Sequence, residues 1–366
     1  MKKTNMIKRT LALWLLLPIL LCSCGRTQDG TSANEGGWQK DPELEMFKSH
    51  SFDYFDTVTS LTGYAKSQEQ FDAVSRDVMR MLGEYHRLST IYYTYDGIEN
   101  LCTLNNKKAD EDRVIHADKR IIDMLLFAKE AYTLTGGRVN VAMGSVLSIW
   151  HDYREEGMNE PWNASLPPME LLREAAEHTD INSLVIDAEA GTVRITDPEM
   201  RLDVGAIAKG YAVEMTAREL EAHGITGYVL NVGGNVRTVG TKPQGELWTV
   251  GIEDPRDNGQ DFLDYLSIES RALVTSGSYQ RFYTVGDINY HHIIDTETLM
   301  PARGFISVSV VTADSGLADA LSTALFCMSI EDGQALVDSL SDVEAAWLLE
   351  SGERVYSSDF SRHLKK

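Results

Sequence analysis

Between a β-branched run at Thr192–Thr196 and a helical repeat opening at Ile207, the chain has only ten residues in which to turn, Asp197–Ala206. Ile207, Tyr211, Met215 and Leu220 recur at close to helical spacing, and Gly224 ends the repeat. Leu202–Tyr211, read Leu-Asp-Val-Gly-Ala-Ile-Ala-Lys-Gly-Tyr, is therefore a passage from extended chain into a helix. A helix start leaves backbone N–H groups without partners, and Gly205 lets a ligand come close to that backbone, so phosphate is the natural guest. Two common nucleotide loops are excluded, because the stretch has neither Gly-Lys-Ser/Thr after four variable residues nor Gly-x-Gly-x-x-Gly. Taken alone, the stretch is equally an ordinary turn with a solvated Lys209.

The start of the chain reads as a targeting segment. Lys2, Lys3, Lys8 and Arg9 precede the apolar run Leu11–Leu21, which is too short to span a membrane comfortably. Ser23-Cys24 closes it with a small residue before a cysteine, resembling a bacterial lipobox with Cys24 as the lipidated residue; Leu21 is too large to serve Cys22 in that way. The expected organisation is a lipoprotein signal at 1–23, a flexible tether at 24–48 and one catalytic domain at 49–366, held outside the cytoplasm on a bacterial membrane. Removing the four basic residues of the signal from the 34 Lys and Arg leaves 30 against 55 Asp and Glu, a net charge of −25. Such a surface disfavours nucleic acid and anionic lipid, and a bound polyphosphate then needs local screening by a metal or backbone N–H groups. Cys102 and Cys327 are too few and too far apart for a disulfide to be inferred, and read as buried thiols.

Periodicity gives helices at Gln68–Leu88, Arg120–Thr135 and Ser315–Met328. It gives strands within Phe47–Ala65 (carried by Phe52, Tyr54, Phe55 and Val58) and at Tyr228–Val232, Trp248–Ile252, Tyr265–Ile268, Ala272–Thr275, Phe282–Val285 and Ile306–Val311. That mixture supports an α+β fold. Ser89–Asn105 reads as a loop rich in tyrosine, Arg154–Asn163 as a polar surface insertion, and Gly233-Gly234-Asn235 as a tight turn able to offer N–H groups to an anion. Asp319 and Thr323, four apart on one helix, lie on one face and can point at one ion, where oxygen ligands suit Mg²⁺. His291 and His292 are candidate bases because imidazole titrates near neutrality, with Asp295 placed to orient one of them.

In order, Leu202–Tyr211, Asn231–Asn235, Val274–Gly277, His291–Asp295 and Ala318–Phe326 together resemble the ApbE family of FAD:protein FMN transferases, over about Phe52 to Ala345. The resemblance implies a T-fold-like core around a flavin cleft. It implies FAD contacts at Asp203, Lys209 and Ile293, stacking by Tyr92, and a lining of Ala142, Met143 and Gly144 with Asn140 where Asp is commoner. Phe55 falls at the family's flavin-contacting Met, and Asp56-Thr57-Val58 stands where Met-Gly-Thr is usual. The implied Mg²⁺ ligands are Asp319, Thr323 and the Ala206 carbonyl, with Ser322 beside them. The implied reaction transfers FMN from FAD to a Thr or Ser hydroxyl with AMP leaving, His292 as base and Asp319 in the catalytic set. Expected acceptors are extracytoplasmic subunits of the sodium-pumping NADH:quinone oxidoreductase or Rnf type, or secreted flavoproteins. Two rivals keep the same cleft: an FAD pyrophosphatase using water, and a flavin-binding lipoprotein without catalysis.

Overall fold

The computed structural model describes residues 44–108, 112–256, 259 and 261–366. The expected signal, Cys24 and most of the expected tether lie outside the described residues. Glu45–Lys48, given to the tether by composition, instead open the first strand. Among the described residues, no helix is long and apolar enough to cross a membrane.

The architecture is α+β. Strands β1 (Glu45–Ser51) and β2 (Thr59–Ala65) precede α1 (Gln68–Ser89), whose N-cap Ser67 accepts the Gln70 N–H. Then come α2 (Leu101–Asn105), β3 (Val114–His116), α3 (Lys119–Leu134), α4 (Gly144–Asn159), α5 (Met169–Ala176), β4 (Leu184–Asp187), β5 (Thr192–Ile195) and α6 (Ala208–Ala222). The hairpins β6 (Tyr228–Val232) with β7 (Asn235–Val239) and β8 (Trp248–Glu253) with β9 (Phe262–Ile268) lead to β10 (Ala272–Gly277). A third hairpin, β11 (Phe282–Val285) with β12 (Ile288–His291), is followed by β13 (Phe305–Thr312), α7 (Ser315–Phe326), α8 (Ile330–Asp338), β14 (Glu344–Leu349) and β15 (Arg354–Tyr356).

Eight strands form one antiparallel sheet in the order β1-β2-β6-β7-β10-β13-β14-β15. Its central strands are covered on both faces. Val308 and Val310 of β13 pack with α7, while Val311 joins Trp248, Val250 and Leu266 of the β8–β9 hairpin on the other side. The β6–β7 connection is a two-residue turn in which Gly233 and Gly234 have φ of +56° and +90°. Only glycine adopts that pair freely, so the reversal is fixed by sequence.

Two expectations fail locally. Phe52, Tyr54, Phe55 and Val58 belong to the link between β1 and β2, because Phe55 and Asp56 have positive φ and the rings of Tyr54 and Phe55 turn onto His86. The last five residues of the tyrosine-rich segment form α2, started by a reciprocal capping box between Asn100 and Thr103.

Glu214 of α6 holds the helical layer to the sheet. It is 2% exposed and accepts from Arg237 Nε on β7 at 3.0 Å, Arg218 Nε at 2.9 Å and the Ser315 N–H at the start of α7 at 2.9 Å. Burial alone would raise its pKa, but Arg237, the Ser315 N–H and Arg218 hold it below the usual glutamate value. Removing one partner of a buried pair costs about 3–5 kcal/mol. Glu214→Ala is therefore expected to lower the thermal unfolding midpoint sharply, with α6 and α7 loosened together; an unchanged midpoint would remove this role.

Candidate active site

The Leu202–Tyr211 junction is clamped from several directions. Asn105 of α2 exchanges two hydrogen bonds with Leu202, to its carbonyl at 2.9 Å and from its N–H at 2.8 Å. The buried Arg113 guanidinium donates to the carbonyls of Asp197, Pro198 and Met200. The Asp203 N–H donates to Val141 at 2.8 Å and the Gly144 N–H to Arg201 at 3.1 Å. A Cβ on Gly144 would stand 2.5 Å from the Arg201 oxygen, so the close approach needs glycine there. The Val139–Gly144 segment is thus a brace that aims Asp203 and Gly205 into the cleft.

At the floor, α6 and α7 cross closely. A Cβ on Gly210 would lie 2.3 Å from the Ser315 oxygen and 2.4 Å from the Asp319 Cβ. The crossing brings the Gly210 N–H to Asp319 Oδ2 at 2.8 Å and Lys209 Nζ to Oδ1 at 3.6 Å, with Asp319 only 3% exposed. One turn on, Thr323 lines the same cleft, its hydroxyl 3.4 Å from Ser276 Oγ. Ser322, expected beside the ligands, instead bonds Ser276 Oγ at 2.8 Å and the Asp319 carbonyl at 3.0 Å.

The opposite wall is α4 with β11–β12, packed around Met143, Val146, Trp150, Tyr283 and Ile294. His291 is 5% exposed; its Nδ1 accepts the Ile293 N–H at 3.2 Å, so Nε2–H donates to the Ala302 carbonyl at 2.7 Å. Both nitrogens are used, and His291 is excluded as a base. His292 stays open to the cleft, with Nδ1 3.3 Å from the Arg281 carbonyl. A carbonyl only accepts, so Nδ1 carries the proton and Nε2 keeps its lone pair. Enclosure by the cleft walls, then Arg281, His291, Arg154 and Lys209, depress its pKa. Asp295 does not orient it, because that carboxylate pairs with Arg138 at 3.2 Å.

The sequence model of the ApbE family matches residues 55–347. The chain belongs to the ApbE family. It is 32% identical over 251 residues to an FAD:protein FMN transferase of Treponema pallidum, covering 65% of this chain and 66% of that protein. It is 30% identical over 285 residues to one of Rhodobacter capsulatus, covering 78% of this chain and 52% of that protein. A solved ApbE protein of Thermotoga maritima superposes with a TM-score of 0.75 at 26% identity, over 88% of this chain and all of that one.

Of the residues the ApbE resemblance singled out, Tyr92, Met143, Asp203, Ala206, Lys209, His292, Ile293, Asp319 and Thr323 line one cleft. Phe55, Ala142, Gly144 and Ser322 do not line it. Phe55 packs edge-on against His86, and Thr57 lines the cleft from that link instead. Ala142 is fully buried, and Gly144 spends its N–H on the Arg201 carbonyl. Asp203 has its pKa raised by burial, against the lowering effects of the Gly205 N–H, His151 and Arg154.

Arg154, expected in a surface insertion, lies on α4 and lines the cleft, donating to His151 Nδ1 at 2.8 Å. The signal was present, since Leu147, Trp150, His151 and Arg154 continue one helical face past the point where the apolar residues stop. Arg281 also lines the cleft, and its guanidinium reaches the Asp56 carbonyl at 3.4 Å.

Three outcomes follow from this geometry. Gly210→Ala is expected to push α6 from α7 and cost about 1–3 kcal/mol, read as a lower unfolding midpoint. In an imidazole NMR titration, His292 should still be neutral at about pH 5.5, below the ordinary histidine pKa. Arg281→Ala should raise the His292 pKa, because the protonated ring then loses a repelling neighbour; a fall would contradict the arrangement.

Proposed function

We propose that this flavin transferase moves the FMN half of FAD to a threonine or serine hydroxyl of an acceptor protein and releases AMP. The observation that carries the reading is the meeting of Asp319, Lys209, Thr323 and His292 in one cleft, in a chain whose curated relatives are named FAD:protein FMN transferases. Tyr92, half-exposed and tilted against His151 at 5.4 Å, offers a face on which a flat ring can stack.

Magnesium fits the donor set. The Asp319 carboxylate, Thr323 hydroxyl and Ala206 carbonyl are hard oxygens, and three protein ligands leave positions for water and phosphate. Among the described residues, no group of three His, Cys, Asp or Glu forms a competing site. When bound, the ion draws charge from the phosphate oxygens and makes the phosphorus more electrophilic. The chain's own groups do the rest. Lys209 offsets phosphate charge, and the Gly210 N–H with Lys209 fixes the direction of the Asp319 carboxylate.

His292 Nε2 takes the acceptor hydroxyl proton as the hydroxyl oxygen bonds to the FMN phosphorus and the bond to the AMP phosphate oxygen breaks. An imidazole held this far down is a weak base in the empty cleft. Burial is the larger cause of that depression, and a pyrophosphate placed among Lys209, Arg154 and Arg281 offsets the share that these cations add. The proposed acceptors are extracytoplasmic redox subunits of the sodium-pumping NADH:quinone oxidoreductase or Rnf type. A lipid on Cys24 would place the enzyme beside them; both ideas rest on the sequence.

The test is mass spectrometry of such an acceptor domain after incubation with the protein, FAD and Mg²⁺. An FMN adduct on one Thr or Ser is expected, lost with EDTA and in Asp319→Ala. Free FMN and AMP without an adduct on any acceptor tried would make water the nucleophile, and intact FAD would end the catalytic proposal.

A further inference from the structure

The β6–β7 turn leaves one polar group unaccounted for. The Gly233 N–H donates to the Val58 carbonyl at 3.1 Å and the Gly234 N–H to Asn231 Oδ1 at 3.1 Å. The backbone donors expected to meet an anion are therefore already used. The Asn235 side chain is not: the residue is 1% exposed, lines the cleft, and has no hydrogen-bond partner for Nδ2. A buried amide without a partner destabilises a fold, and such a group in a cleft points to a ligand.

Its position limits what that ligand group is. Residues 235 and 237 of β7 share one face of the sheet. On that face Arg237 reaches Glu214 and Glu221, so Asn235 lies on the side covered by α6. At the cleft end of that layer stand Ala206 and Lys209 and the first turn of α6, whose Gly210 N–H is already taken by Asp319. An ammonium beside a helix start favours an anion. Anionic oxygens only accept, so the pairing end of the carboxamide is its NH₂.

We propose that Asn235 contacts the substrate, its carboxamide donating to a phosphoryl oxygen beside Lys209 and the start of α6. The proposal rests on the transferase reading in taking a flavin dinucleotide as the ligand.

The experiment is calorimetric titration of the full chain in EDTA with ADP, FMN and riboflavin, comparing wild type, Asn235→Leu and Asn235→Ser. Leucine copies the shape of asparagine and removes the donors. Asn235→Leu should weaken ADP and FMN about tenfold to a hundredfold, leave riboflavin unchanged, and keep or raise the unfolding midpoint. Equal weakening of all three ligands with a lower midpoint would make the role structural and overturn the proposal. Weakening of riboflavin alone, no change in any ligand, or a wild type that fails to bind ADP would overturn it too. If the leucine variant does not fold, the serine variant decides by the same selectivity. A wild type that forms no acceptor adduct sinks the transferase reading separately, because ADP binding is scored without turnover.

Discussion

The close crossing of α6 and α7 at Gly210 is the contact on which the site depends. With no side chain at 210, the two helices approach until a backbone N–H meets the Asp319 carboxylate at 2.8 Å. Glu214, one turn further along α6, ties the same pair of helices to the sheet through Arg237 and the Ser315 N–H. The carboxylate is thereby buried and oriented, with Lys209 paired to its other oxygen at 3.6 Å. An oxygen held in this way is no solvated surface acid.

The charge distribution follows the same division of labour. A chain of formal charge −21 places Arg138, Arg154, Lys209 and Arg281 along one cleft against Asp203 and Asp319. Arg138 is committed to Asp295 and Glu297. The Arg154 guanidinium reaches a histidine nitrogen and that of Arg281 a carbonyl, and neither partner cancels the charge these groups bring to the cleft. An acidic exterior with a basic interior groove draws a dinucleotide to one place and repels it elsewhere.

Much of this was legible in the chain. The long periodic helices came out within a residue or two, because α1 and α3 each bury one broad apolar stripe. Six strands of the second half were legible because turns bound them and β-branched residues fill them, whereas β7, β12, β14 and β15 went unread. Short or irregular pieces were not. α2 has five residues, too few for a period, and its only signal is the Asn100 and Thr103 cap. Aromatic alternation around Phe55 imitated a strand, while positive φ and packing on His86 decided otherwise. Partner choice was beyond a linear reading altogether: Asp295 sits three residues after His292, yet a distant arginine, Arg138, captures it. The unpaired amide of Asn235 likewise exists only once β7 and α6 are in place.

The two walls of the cleft do not share one core. The floor belongs to the sheet and its helices, whereas α4, α5 and the β11–β12 hairpin enclose a small apolar cluster of their own around Trp150 and Tyr283. Trp150 Nε1 fastens that cluster internally to the Leu299 carbonyl, and the Arg138 pair with Asp295 is one of its polar links to the rest. A unit with its own core can open as a unit, at a free-energy cost well below global unfolding. Amide protons of α4 would then exchange with solvent sooner than those of β13, and admitting a large dinucleotide would ask for the displacement of a jaw rather than the melting of a domain.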